Sequence, residues 1–168
     1  MSTPLQDIYD RFWSKVEEES TISSLREDDM VEELFLIYKS AASAFTIVRK
    51  DLETITETTQ TVNSGTIDEY TYKVRTLEDD LTELEKEILS YLMIVTFLQR
   101  KVVNENFYEA LELTTKDFKQ LSKANQMDKV NNIIKDYETR AEKKISLYGR
   151  IMNDKGSIRT FIDEMSDL

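Results

Sequence analysis

The chain has 168 residues and a net charge of −11, and it contains neither Cys nor His. The absence of Cys excludes disulfides, zinc–thiolate sites and thiol nucleophiles, and the absence of His removes the commonest general base and metal ligand. Three Gly and one Pro are too few for the many tight turns of an all-β fold. We therefore predict an all-α fold, an antiparallel bundle of about four to five long helices with short helices and a C-terminal amphipathic tail.

The charge is unevenly distributed along the chain. Residues 1–95 carry 9 basic and 21 acidic side chains, a net −12, whereas residues 96–168 carry 13 and 12, a net +1. The negative charge of residues 1–95 disfavours nucleic-acid binding, because such binding depends on clustered cations. The longest dense apolar run, Ile88–Leu98, has 11 residues, and a membrane span needs roughly 20. We expect a soluble protein that is made inside the cell, with no sequence-specific nucleic-acid partner and no membrane partner.

Two capped helices are predicted in the first third of the chain. A capping box at Thr3–Gln6, with Pro4 at the first helical position, starts a helix that ends near Glu19. A second capping box at Ser24–Glu27 starts the next helix. Apolar residues at helical spacing predict that this second helix runs on to residue 52; they are Val31, Leu34, Tyr38, Ala41, Phe45, Val48 and Leu52.

The helical pattern fails over residues 56–69. This segment is rich in Thr and contains Asn63-Ser64-Gly65, which predicts a long exposed loop. The alternation of Tyr70, Tyr72 and Val74 with polar residues fits a short strand, although a single strand would have no sheet to join. It fits equally an N-terminal extension of the next helix. Two capping boxes could start that helix, Thr66 with Glu69 or Thr82 with Glu85.

The strongest helical signal lies in residues 77–103. Its apolar residues step by four and three, and from Ile88 onward the segment is apolar nearly all round, so other helices must enclose it. Short helices are predicted between residues 107 and 121. A second regular stripe, from Met127 to Met152, predicts the long helix that packs against this central one, with Gly156 as its C-terminal stop.

The last residues are predicted to form a separate unit. We divide the chain into a helical bundle domain of residues 1–155, with the loop at about 56–69, and a C-terminal amphipathic tail of residues 156–168. The tail either folds back onto the bundle or acts as an arm that docks on a partner. Its candidate partner-binding residues are the five that fall on one apolar face: Ile158, Phe161, Ile162, Met165 and Leu168.

Few catalytic or metal-binding arrangements remain open to this chain. Glu83 and Glu87 share a helix face, and paired carboxylates can hold a divalent metal or perform acid–base chemistry. The acidic residues between 78 and 87 are instead expected to be solvated charges beside the apolar stripe. The scattered Gly form no phosphate-binding loop. We therefore predict a non-enzymatic protein with no catalytic residue, no cofactor and no metal.

Several segments resemble small helical structural proteins of tailed bacteriophages, the head–tail connector or head-completion adaptors of the neck. The residues that carry the resemblance lie between positions 5 and 150. They are Leu5-Gln6-Asp7-Ile8-Tyr9-Asp10-Arg11-Phe12, then Glu85, Ile88, Leu89, Met93, Phe97 and Leu98, then Asn106, Phe107, Lys116, Asp117, Phe118, Ser122, Ala124 and Asn125.

The resemblance implies a virion structural protein. Such adaptors form a homo-oligomeric ring, commonly twelve-fold, which sits beneath the portal protein, contacts tail and neck proteins and surrounds the DNA channel. The uneven charge is compatible with head-to-tail contacts in a closed ring. The alternative that we keep from the residues alone is a small helical partner-binding or regulatory protein that docks on another protein.

Overall fold

The computed structural model describes residues 2–18, 31–62, 70–102 and 123–166. These residues form four helices: α1 is Leu5–Glu18, α2 is Val31–Ala44, α3 is Glu83–Val102 and α4 is Lys123–Ser166. They also form three strands: β1 is Thr3–Pro4, β2 is Ile55–Val62 and β3 is Tyr70–Leu77. The strands make one antiparallel sheet in the order β1-β3-β2. The predicted all-α fold is therefore wrong, because this part of the chain is mixed α/β.

Strand β2 occupies the first half of the predicted loop, residues 56–62 of 56–69, and residues 63–69 lie outside the described residues. Its pairing with β3 runs without interruption from Ile55 opposite Leu77 to Val62 opposite Tyr70. The Thr residues that disfavour a helix in this segment favour a strand, since β-branched side chains fit the extended backbone. The prediction failed because the partner strand of Tyr70–Leu77 lay in the Thr-rich segment that was interpreted as a loop. The predicted start of the second helix at Ser24–Glu27 and the predicted short helices at 107–121 lie outside the described residues.

Thr3 has a different role from the predicted helix cap. It pairs with Leu77 as part of β1, and helix α1 begins two residues later, at Leu5. The Thr3 side chain is buried, and its Oγ1 accepts a hydrogen bond from the backbone N–H of Leu81 at 2.7 Å. Thr3 therefore connects the start of the chain to the segment that leads into α3.

Helix α3 is the centre of the structure, as predicted. Helices α1, α2 and α4 all pack against it, and α4 has the largest contact with it. Its fully buried residues include Ile88, Leu89, Met93, Ile94, Phe97 and Leu98. The helix begins at Glu83, which agrees with the second of the two possible caps, Thr82 with Glu85, so residues 77–82 of the predicted helical stripe are not helical. Leu77 and Leu81 are buried nonetheless, from a strand and a loop.

Helix α2 ends earlier than predicted. It stops at Ala44, and backbone hydrogen bonds of Phe45 and Val48 form turns beyond it. Phe45 and Leu52 still enter the core. The buried hydroxyl of Tyr38 donates to the carbonyl of Leu52 at 2.9 Å, which fixes the returning chain against the helix that it has just left.

Helix α4 is longer than predicted. It has 44 residues and runs through Gly156 to Ser166, so the predicted stop at Gly156 is wrong. At 1.5 Å per residue it is about 66 Å long, roughly twice the length of the 20-residue α3. The predicted apolar stripe is confirmed at Val130, Ile134, Tyr137, Ala141 and Tyr148, which are buried, whereas Met127 is exposed. Within the described ranges, no helix combines the length and hydrophobicity that a membrane span requires.

Candidate functional site

The buried carboxylate of Glu85 accepts four hydrogen bonds. It lies in the first turn of α3, and its side chain is fully enclosed. Its carboxylate accepts from four donors: the Thr82 backbone N–H at 2.6 Å, the Thr82 hydroxyl at 2.8 Å, Lys50 Nζ at 2.8 Å and the Tyr148 hydroxyl at 2.9 Å. We call Glu85 and these four donors the Glu85 cluster. The cluster therefore joins α3 and α4 with the segment that follows α2.

Local sequence explains why Glu85 is at this position. Thr82 and Glu85 form a capping box, in which Thr82 Oγ1 accepts from the Glu85 N–H at 3.3 Å while the Glu85 carboxylate accepts from the Thr82 N–H. This confirms the second of the two predicted caps. Glu85 also lies four residues after Leu81 and three before Ile88, inside the apolar stripe, so its burial follows from the position that the cap imposes.

The electrostatics of the Glu85 cluster favour a permanent negative charge. Burial alone would raise the pKa of Glu85, but the hydrogen bonds from Lys50, Thr82 and Tyr148 outweigh it and hold the pKa below its ordinary value. Burial, together with the hydrogen bond to Glu85, raises the pKa of Tyr148 to about 12. Near neutral pH the carboxylate is therefore ionised and fully used as an acceptor, an arrangement that suits a structural role better than proton transfer.

The predicted solvation of the acidic residues between 78 and 87 is wrong for Glu85. The candidate pair Glu83 and Glu87 is more exposed, and each carboxylate has cationic partners. Glu83 contacts Arg11 and Lys86, and Glu87 accepts from Lys144 at 2.9 Å, which lowers the pKa of Glu87. No group of three or more carboxylates among the described residues is arranged to hold a metal ion.

A second polar cluster holds the base of the β2–β3 hairpin. Arg75 of β3 donates from Nη2 to Glu32 of α2 at 2.7 Å and from Nε to Glu57 of β2 at 2.8 Å. Its guanidinium lies 4.0 Å from the centre of the Phe35 ring, and only 6% of its side chain is exposed. Burial would lower the pKa of Arg75, yet the two carboxylates raise it, so the cation persists in the interface. Arg75 thus fixes the hairpin to α2.

Beyond this base, no other described residue covers the hairpin. Every side chain from Thr56 to Thr61 is exposed, although Glu57 still bonds to Arg75 and Lys73. On β3, Tyr72 is 43% exposed and its hydroxyl donates to Gln60 at 2.8 Å. The strand alternative for Tyr70, Tyr72 and Val74 is confirmed as β3, whereas sequence reasoning missed its partner strand β2.

The predicted partner-binding residues fall at the edge of what the structure describes. Ile158, Phe161, Ile162 and Met165 lie within the helical backbone of α4, and their side chains are outside the described part of the structure. Leu168 lies outside the described residues altogether. Whether these five residues form one docking face stays a prediction.

An open groove lies between α3 and α4. It has a volume of about 350 Å³ and is lined by Gln99, Val102, Asn131, Ile134, Lys135 and Glu138. Gln99 donates to Glu138 at 3.3 Å across it. Its lining combines amide, aliphatic and oppositely charged groups.

The described residues thus form a core of packed helices, with a long helix α4 and an exposed β-hairpin at its surface. No protein-family model, curated protein or solved structure matches this chain.

The pH dependence of stability provides a test of the Glu85 cluster. Because the pKa of Glu85 is lowered in the folded state, its ionisation stabilises the protein above the ordinary pKa of 4.5. That contribution is lost as the pH falls through the folded-state value. We expect Glu85→Gln to be less stable than the parent protein at pH 7, and the difference to shrink as the pH falls below 4.5. Urea unfolding at a series of pH values measures this difference in the free energy of unfolding, with Glu83→Gln, at an exposed site, as the control. A difference that does not change with pH would contradict this account.

Proposed function

We propose that this protein is a non-enzymatic structural adaptor of a tailed-phage virion. In this proposal it is a head–tail connector that forms a ring at the portal vertex, around the DNA channel. One observation supports the proposal that this protein binds other proteins: the β2–β3 hairpin is exposed, and Arg75 holds it at its base. An exposed strand edge is a template with which another chain can pair, so a hairpin that Arg75 fixes in place is suited to contact with another protein.

The polar clusters are compatible with this role. Among the described residues, the buried carboxylate of Glu85 accepts hydrogen bonds that join three segments of the chain. These hydrogen bonds hold the three segments in one arrangement. A subunit of an assembly needs such a rigid structure. The specific assignment to a phage neck rests on the sequence resemblance over residues 5–150.

The net charge of −11 also agrees with a subunit that surrounds DNA without holding it. A channel through which DNA slides should lack the clustered cations that bind phosphates. Portal protein on one side and tail or neck proteins on the other are the proposed partners.

The decisive experiment is reconstitution with the portal protein of the same phage. We expect analytical ultracentrifugation of the mixture to reveal a complex larger than either component, and electron microscopy to reveal a ring of this protein beneath the portal. If the two proteins sediment separately at micromolar concentration and no ring is visible, the adaptor role is wrong. Recovery of one host protein and no virion component in affinity purification would favour the partner-binding or regulatory alternative.

A further inference from the structure

Two polar groups in the core have no hydrogen-bond partner among the described residues. They are the hydroxyl of Tyr9 on α1 and Nη1 of Arg75 on β3. Tyr9 is 6% exposed, 6% of the Arg75 side chain is exposed, and the two atoms themselves are enclosed. A buried donor without a partner costs free energy, so native proteins satisfy nearly all such groups. A third group is therefore expected to bond to these two atoms.

The two groups lie close to each other where α1, α2 and β3 meet. Helix α1 packs against β3, and Arg75 bonds to Glu32 of α2. Burial raises the pKa of the Tyr9 hydroxyl, the nearby cation of Arg75 opposes this rise, and the carboxylate of Glu32 adds to it. The hydroxyl and Nη1 thus interact electrostatically, yet they form no direct hydrogen bond with each other. Water commonly bridges polar groups in this relation.

The donor and acceptor pattern indicates the chemistry of the bridging group. Arg75 Nη1 can only donate, whereas the Tyr9 hydroxyl can donate or accept, so the bridge must accept at least one hydrogen bond. The guanidinium already has the carboxylates of Glu32 and Glu57 beside it, and a further buried anion would leave an excess of negative charge. The guanidinium itself repels a cation. A small neutral molecule that both accepts and donates fits the two groups, and buried water in proteins has this role.

We propose that one buried water molecule bridges Arg75 Nη1 and the hydroxyl of Tyr9. All three nitrogens of the guanidinium are then used, Nε by Glu57, Nη2 by Glu32 and Nη1 by the water. The bridge joins α1 to the residue that holds the β2–β3 hairpin against α2. This site belongs to the folded chain alone, so it does not depend on the proposed adaptor function.

A crystal structure of the full-length protein identifies the bridging group directly. We expect electron density for one oxygen within hydrogen-bond distance of both Arg75 Nη1 and the Tyr9 hydroxyl. We also expect no anomalous peak at that position when bromide replaces chloride in the crystals. A bromide peak would overturn the proposal, because the occupant would then be an anion. So would a direct bond between the two groups, or other protein groups that take up both atoms.

Tyr9→Phe and Arg75→Lys form a double-mutant cycle that measures the bridge in solution. Tyr9→Phe removes only the hydroxyl, and we expect it to raise the equilibrium constant of unfolding by about tenfold. Arg75→Lys keeps the cation but removes Nη1. In the Arg75→Lys background we expect the effect of Tyr9→Phe to fall to about twofold or less, because the water has already lost one of its two partners. Urea unfolding followed by circular dichroism measures the four constants.

Tyr148→Phe is the matched control for Tyr9→Phe. Tyr148 is also buried, but its hydroxyl donates to Glu85 and takes no part in this site. We expect Tyr148→Phe to raise the unfolding constant by the same factor with and without Arg75→Lys.

Two results of the cycle would overturn the water bridge. If the Tyr9 hydroxyl has no partner, Tyr9→Phe leaves the unfolding constant unchanged or lowers it, because it removes a buried polar group that makes no bond. Equal effects of Tyr9→Phe in both backgrounds would mean that the hydroxyl and Arg75 are not coupled. The crystal structure of the unmodified protein remains a test even if Arg75→Lys does not fold.

Discussion

Replacing Glu85 with Ala is expected to lower the free energy of unfolding by about 3–5 kcal/mol. The substitution removes the reciprocal bond of the capping box at the start of α3, and it leaves the buried hydroxyl of Tyr148 without its acceptor. Lys50, whose side chain is 26% exposed, loses its buried partner as well. The three losses affect three segments of the chain at once, which is why a single truncation has so large an effect.

Glu83→Ala is the matched control for Glu85→Ala. Glu83 lies two residues earlier on the same helix, its side chain is 73% exposed, and it forms an ion pair with Arg11. Exposed ion pairs contribute little to stability, so we expect a small change. Urea unfolding followed by circular dichroism compares the two variants. Equal losses of stability would contradict a special role for the Glu85 cluster.

Phe97→Ala is the second substitution with a large expected effect, a loss of about 3–5 kcal/mol. Phe97 is fully buried in α3, at the contact with α1. Its ring makes edge-to-face contacts with Phe12, at 5.5 Å between centroids, and with Trp13, at 6.3 Å. Truncation removes both contacts and opens a cavity where helices α1 and α3 meet.

Trp13 makes the effect of Phe97→Ala directly observable. It is the single Trp of the chain, so intrinsic fluorescence reports on this contact during urea unfolding. Leu147→Ala is the control, because Leu147 lies on α4 and is 46% exposed. We expect it to change the free energy of unfolding by no more than about 0.5 kcal/mol. A cost below about 1 kcal/mol for Phe97→Ala would mean that this region is not a tightly packed core.

Sequence reasoning was most successful where the apolar pattern was long. The stripes of α3 and α4 predicted both helices, their mutual packing and the enclosure of Ile88–Leu98. Periodicity succeeds here because a helix that is apolar nearly all round has no stable alternative to burial. The boundaries were less accurate, since Leu77 and Leu81 are buried for reasons other than helix formation.

The hairpin shows why local pattern alone failed. The side chains of residues 55–61 are mostly exposed, so this segment carries no apolar alternation, and Thr-rich polar segments are as typical of loops as of exposed strands. A strand is recognised by its partner: β1 pairs with β3 from a distant part of the chain, and the nearer partner β2 lies in the segment that was interpreted as a loop. The candidate site was found only in part. Thr82 and Glu85 were predicted as a cap, but the approach of Lys50 and Tyr148 depends on packing of distant segments.

The sequence by itself determined the helical core of this protein, because hydrophobic periodicity and capping boxes act over neighbouring residues. It also excluded thiol and imidazole chemistry through the absence of Cys and His. Only the tertiary structure decided that a sheet exists, that Glu85 is a buried junction and that Arg75 fixes an uncovered hairpin to α2. Each of these depends on contacts between residues far apart in the chain, whose energies no local pattern records.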